Sequence, residues 1–199
     1  VPDGATHLRF ESDRGSLQLS GLAHSIGYRP NGDELTRRVG GGGSASTVFH
    51  PWAILLGTNP ARDKNPSGLT RSRILAQYTA GYGIARYLQD TAALGLDGQV
   101  NPTTGAFETL YASGWSTSYE HWLNEHWLTN ITYSGIFADS TPDQPGNTYS
   151  DATYLAVSLW WIPMTNMSLA VEYVTGEREN IDNQSADAER IQMLFQYNF

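Results

Sequence analysis

Charged side chains able to do chemistry are few in this chain, and most recur in one setting. Arg9, Arg73, Arg178 and Arg190, with Glu120, Glu172 and Gln192, stand in stretches where polar and apolar residues take turns, and each falls in the polar set. Arg71 and Arg86 lie near the ends of one such stretch. Guanidinium groups hold carboxylates and phosphates through charge-assisted, often bidentate hydrogen bonds, so a surface carrying them would bind or steer small anions. A local alternative exists for Arg178 and Arg190: pairing with Glu172, Glu177 or Glu189, which would only stiffen the surface. Other groupings are weaker. His121-Trp-Leu-Asn-Glu125-His126 lacks the spacing of a helical zinc motif and reads as structural or interfacial. Asp182, Asp187 and Glu189 do not follow a calcium-loop spacing and read as solvated acids. No Gly-x-Ser-x-Gly nucleophile motif is present. Neither a metal nor a cofactor is expected.

The elements that must position these residues are strands. In 190–199, Ile191, Met193, Phe195, Tyr197 and Phe199 alternate with Arg190, Gln192, Gln196 and Asn198, with Leu194 the exception. Successive strand side chains point to opposite faces, so this is a ribbon with one greasy and one wet side. Eight further segments read the same way: 6–11, 16–28, 48–56, 71–87, 108–122, 127–137, 153–161 and 167–178. Pro51 weakens the third, because it cannot donate to a ladder. Between them, 29–46 reads as a long loop, with the glycine run Gly40 to Gly43 as a flexible span. No strand-to-helix context or Lys-Ser/Thr follows that run, so it is no phosphate loop. Residues 57–70, 87–105, 138–151 and 179–189 also read as polar connections.

Composition narrows the class. The chain has 199 residues, no Cys, a net charge of −8, 20 Gly, six Trp and eleven Tyr. No run approaches the roughly 18 apolar residues of a membrane-spanning helix. Aromatic content opposes disorder, and the acidic balance opposes nucleic acid as partner. Alternating strands of about ten residues, rich in aromatics and joined by polar loops, suit an all-β, antiparallel transmembrane β-barrel. Connections run short, long, medium, long, short, long, short, long, which fits short turns on one side of a membrane and long loops on the other, with 57–70 the misfit. The face free of charge in the better-defined strands would meet lipid, where an exposed charge costs roughly 2–4 kcal/mol at midplane. Arg9, Arg73, Arg86, Glu120, Glu172, Arg178, Arg190 and Gln192 then line a watery interior, and Trp115, Trp127, Tyr133, Trp161, Tyr197 and Phe199 fit interfacial girdles. Nine strands are an odd number, and open edges in lipid leave backbone groups unpaired. The whole chain, 1–199, is therefore expected to be one partial barrel domain, the C-terminal part of a larger barrel.

Three sets of residues carry a family resemblance. One is Gly176-Glu-Arg-Glu-Asn180 with Asp187-Ala188, Arg190-Ile-Gln192 and the ending Gln196-Tyr-Asn-Phe199. The others are Tyr82-Gly-Ile-Ala-Arg-Tyr87 and Tyr119-Glu-His-Trp122. With these the chain resembles the DcaP-like porins, trimeric outer-membrane channels of Gram-negative bacteria, over about 77–199 and less strongly over the first thirty residues. Residues 49–71 depart from the family pattern. The resemblance implies a sixteen-stranded barrel in a bilayer containing lipopolysaccharide, a homotrimer, and passive diffusion of small anionic solutes such as dicarboxylates. It also implies a preceding half outside this chain. Phe199 is similar to the terminal signal read by the barrel-assembly machinery. Two other classes stay open at this point, an outer-membrane barrel hydrolase or acyltransferase and a secreted β-sandwich binding module.

Overall fold

The computed structural model describes residues 3–29, 35–60, 68–102, 104–141 and 143–199. Nine strands form one antiparallel sheet in which each pairs with its sequence neighbour in that sheet. They are β1 (Gly4–Ser12), β2 (Gly15–Tyr28), β3 (Thr36–Phe49), β4 (Arg73–Tyr82), β7 (Tyr111–Trp122), β8 (Trp127–Ala138), β9 (Tyr149–Met164), β10 (Met167–Asn180) and β11 (Ser185–Tyr197). Two short strands, β5 (Gly98–Val100) and β6 (Phe107–Thr109), pair separately in the segment between β4 and β7. Two helices, α1 (Pro51–Leu55) and α2 (Gly68–Arg71), lie between β3 and β4. Among the described residues the sheet is not closed: β1 and β11 pair only with β2 and β10, and both are exposed along their whole length.

Register places the alternation of separate strands on common faces. Arg73, Glu120, Asn130, Ser158, Glu172 and Gln192 form one cross-strand row from β4 to β11. One residue along, on the opposite face, Ile74, Tyr119, Ile131, Val157, Tyr173 and Ile191 form another. The first set defines a polar face and the second an apolar face. A slip of one residue in any strand would exchange them, so the segregation itself pins the register. The tight connections after β1, β7 and β9 share one end, here the turn end; the opposite is the loop end.

Four expectations need correction. Residues 36–49 are strand, glycines included, because β2 and β4 pair with that stretch on both sides. The third segment ends at Phe49, and Pro51 opens α1, at a helical position where its missing N–H is no loss. The fourth segment ends at Tyr82, where Gly83 takes φ +70° and turns the chain off the sheet. The last polar loop is a hairpin: β10 reaches Asn180, β11 starts at Ser185, and Asn183 turns between them at φ 60°. A connection expected to be long is thus short, and the apolar face gains Asp151, Glu177, Glu179, Asp187 and Glu189 at its loop end. The partition of the two faces, more than loop length, is what the fold supports.

A small core sits on the polar face at the loop end. Ile84, Ala85, Leu88 and Leu96, from the segment leaving β4, pack with Ala112, Ala138 and Tyr149 and against Leu22, Ile136 and Ala152. A row of small residues, Gly42, Gly81, Ala112 and Ala138, runs beneath them.

Candidate functional site: the polar face and the segment folded onto it

The segment between β4 and β7 is fastened to the polar face at several points. Its start is fixed by Gly83 N–H donating to the Leu110 carbonyl at 2.7 Å and by two 3-10 turns, Ala85–Tyr87 and Gln89–Thr91. The buried Thr91 hydroxyl donates to the Ala85 carbonyl at 2.7 Å. Arg86 Nε lies 2.6 Å from Asp97 Oδ2, and the Arg86 backbone N–H donates to Asp97 Oδ1. The buried His24 ring on β2 meets the Gly83 carbonyl through Nε2 at 2.7 Å and packs edge-on against Tyr87. The Tyr87 hydroxyl donates to Asp3, beside β1. Partial burial and that carboxylate hold the Tyr87 phenol above its ordinary range.

Glycines make this docking possible. A Cβ on Gly40 would stand 2.6 Å from His24 Nε2, and one on Gly42 would stand 3.1 Å from Ile84 Cδ1. A Cβ on Gly114 would meet Leu88 Cδ2 at 3.2 Å. The glycine run is therefore a seat cut into a strand.

The segment leaves two clefts on the polar face. One, about 580 Å³, lies between it and the sheet, lined by Gln77, Thr79, Ser116, Ser134, Tyr154 and Arg190, with Gln89 and Asp90 from the segment. The other, about 600 Å³ at the turn end, is lined by Arg9, Glu11, Arg71, Arg73, Glu120 and Trp122, among others.

The sequence-derived candidates fall as follows. Arg9, Arg73, Glu120, Glu172, Arg178, Arg190 and Gln192 all lie on the polar face. Three of the arginines are neutralised by neighbours: Arg9 by Glu11 at 2.6 Å, Arg73 by Glu120 at 3.0 Å, and Arg86 by Asp97. Arg178 bonds Asn180 and stands over the Tyr149 ring, its Cζ 5.4 Å from the centroid. Glu172 accepts from Gln192. Among the described residues, no ion pair joins Arg178 or Arg190 to Glu172, Glu177 or Glu189. Arg190 faces the cleft between the segment and the sheet and forms no ion pair among the described residues. Arg71 stacks on Trp122, 3.5 Å from the ring centroid, which leaves its charge directed into the turn-end cleft.

On the apolar face, Trp127 and Trp161 stack at 6.2 Å near the turn end, close to Tyr197 and Phe199. Trp115 and Tyr133 meet edge-on at 5.0 Å between the two ends of that face. A second aromatic group, Tyr82, Tyr111 and Phe137, sits nearer the loop end and was missed as a set, because its members lie at the ends of three separate strands.

Serine–histidine chemistry finds no support here. Ser72 Oγ lies 3.3 Å from His121 Nδ1, but Ser72 is fully buried, accepts from the Trp122 backbone N–H and donates to the Gly68 carbonyl. Such a hydroxyl locks α2 onto β7 and has no approach for a substrate.

No protein-family model matches the chain, and no curated protein matches it in sequence. Among solved structures, the outer membrane channel DcaP of Acinetobacter baumannii is similar with a TM-score of 0.67 at 14% identity, over 99% of this chain and 54% of that one. The NanC porin aligns over 99% of this chain and 94% of its own with a TM-score of 0.46 at 12% identity. The chain spans about half the length of DcaP, the channel to whose family its motifs are similar. Across that half, this chain has the fold of an outer-membrane channel barrel.

Proposed function

We propose that the chain is part of the wall of an outer-membrane porin that passes small, anionic solutes by passive diffusion. In this reading 1–199 is one partial barrel domain completed by further strands, the polar face lines the lumen, and the apolar face meets lipid. The observation that carries it is the pair of rows one residue apart, Arg73 to Gln192 and Ile74 to Ile191. A water-soluble sandwich buries its apolar faces against each other; here Ile131, Val157, Ile191 and Met193 stand exposed.

Band height supports the same reading. From Trp127 to Phe137 along β8 is about 33 Å at ~3.3 Å per residue, and a strand tilt of ~40° reduces this to about 25 Å, the height of a barrel's apolar band. Tyr82, Tyr111 and Phe137 then belong to the outer girdle and Trp127, Trp161, Tyr197 and Phe199 to the inner one. Register sets Asp151 and Glu179 level with Phe137, Glu177 and Asp187 level with Gly135, and Glu189 level with Tyr133, so the apolar band is shorter toward β11 than along β8. The segment between β4 and β7 narrows the lumen. Anion preference rests on Arg71, Arg178 and Arg190, which form no ion pair among the described residues, more than on Arg86. Assembly as a homotrimer and insertion through Phe199 accompany this reading.

The test is the reversal potential of the full-length protein in planar bilayers under a salt gradient. Anion preference is expected, and it should weaken in Arg190→Gln and Arg71→Gln. Cation preference would remove the anionic assignment, and absence of channels would remove the porin reading.

A further inference from the structure

We propose that α1 is a foot set into the phospholipid leaflet at the turn end of the wall, with Ile54, Leu55 and Leu56 at the boundary of headgroups and acyl chains. The proposal rests on the reading of the apolar face as lipid-facing.

The connection between β3 and β4 is longer than pairing demands. Phe49 lies directly opposite Ile74, so a tight turn would have joined the two strands. The chain makes an excursion there instead, and from Val39 to Pro60 it carries no Asp, Glu, Lys or Arg. Within α1 only Ala53 is buried, while Ile54, Leu55 and Leu56 are 47%, 74% and 58% exposed.

Polar bonds fasten this excursion and leave its apolar side chains free. The Trp52 indole N–H donates to the Tyr119 hydroxyl at 2.7 Å, on the apolar face of β7 near the turn end. His50 N–H donates to the Arg14 carbonyl at 3.0 Å, and the Arg14 guanidinium reaches the Thr58 carbonyl. A loop meeting only water would turn the other way, with leucines packed and polar groups out. Ile54 also lines a groove with Phe10, Leu17 and Phe49 of the apolar face, edged by Glu11, Ser12 and Arg14, so the exposed helix adjoins the lipid-facing surface at its polar rim. A tryptophan fixed at the rim with uncharged leucines beyond it is the composition that partitions into a bilayer interface. Arg14, at the edge of this groove and bonded to the Thr58 carbonyl, stands where a phospholipid phosphate would meet it, with the uncharged triplet on the acyl side.

This chain has no Cys, so the test is made on the full-length protein in phospholipid vesicles, with any Cys outside 1–199 replaced. A nitroxide is placed at Leu55→Cys, at Leu159→Cys on the apolar face, and at Glu125→Cys in the turn between β7 and β8. Collisions with oxygen and with a water-soluble nickel chelate are then compared. The expected result is strong relaxation by oxygen at position 55, as at 159, with chelate collisions several-fold below those at 125. Equal chelate access at 55 and 125, with 159 shielded, would overturn the foot and leave the wall reading intact. Weak relaxation by both agents at 55 would mean protein cover and would also overturn it. Chelate access at 159 would remove the wall reading beneath it.

Discussion

At the loop end, the polar face of β2, β7, β8 and β9 carries Leu22, Ala112, Ile136, Ala138 and Ala152, and it is covered. At the turn end the same face of the same strands carries Gln18, Glu120, Asn130 and Ser158. Nothing in strand geometry distinguishes the two ends. The difference is what lies above them: the segment after Gly83 folds over one end, and a cleft of about 600 Å³ opens at the other. Side-chain size follows the difference, with glycine and alanine where a backbone must approach and long polar groups where water does. One face can therefore be core and channel lining at once.

The comparison breaks most visibly under a misplaced charge. Ile84→Asp puts an unpaired carboxylate into the covered end, where Ile84 is 1% exposed. A cost of about 3–5 kcal/mol is expected, enough to unseat the segment. Asn130→Asp at the open end should stay within about 0.5 kcal/mol, because the site is polar and its oxygen already accepts from Thr132. Single-channel conductance separates the two: a rise for the first and no rise for the second. Gly114→Leu sharpens the point. Its added side chain meets Leu88 and Ile136 side chains more closely than backbone, so the segment is expected to lift at about 1–3 kcal/mol while the folded barrel survives. Heat-modifiable migration in gels should be retained as conductance increases.

Smaller effects are expected from the charged ties. Arg86→Gln removes the contact to Asp97 at 2.6 Å, with the arginine side chain 41% exposed, so at most about 1 kcal/mol is lost. Current noise from a looser segment should grow while reversal potential stays where it was; a large loss of anion preference would contradict the assignment to Arg71, Arg178 and Arg190. Least of all is the phenol of Tyr87. Its value in the folded protein is raised by burial and by Asp3. Its contribution is thus complete below the unfolded value of about 10 and lost as pH rises through the raised one. Tyr87→Phe should abolish any alkaline step in conductance that the unaltered protein shows.

How much of this was legible in the sequence depends on what each residue reveals of its surroundings. From β7 to β11, bulky side chains alternate with small polar ones, and period and face could be read directly. In β3 the glycines carry no side chain to display a period, so a strand looked like a flexible span. Past Tyr82 the alternation continues into Ile84, but a positive φ at Gly83 redirects the chain, and such a turn is silent in the hydrophobic pattern. At the loop end of β10 and β11, acidic residues on the apolar face removed the contrast that marks a strand within lipid. Of the interior residues, facing direction was readable while pairing was not. The contact of Arg86 with Asp97 and the stacking of Arg71 on Trp122 depend on how the segment and α2 return to the sheet.

The central claim is that adjacent residues of one strand meet two different solvents. Since the chain has no Cys, single cysteines can be set in turn at Asn130, Ile131, Thr132, Tyr133 and Ser134 of β8 and exposed to a charged, membrane-impermeant thiol reagent during current recording. Modification that reduces current at 130, 132 and 134, with 131 and 133 unreactive, is the predicted result. Uniform reactivity, or reactivity on the odd-numbered positions, would contradict it.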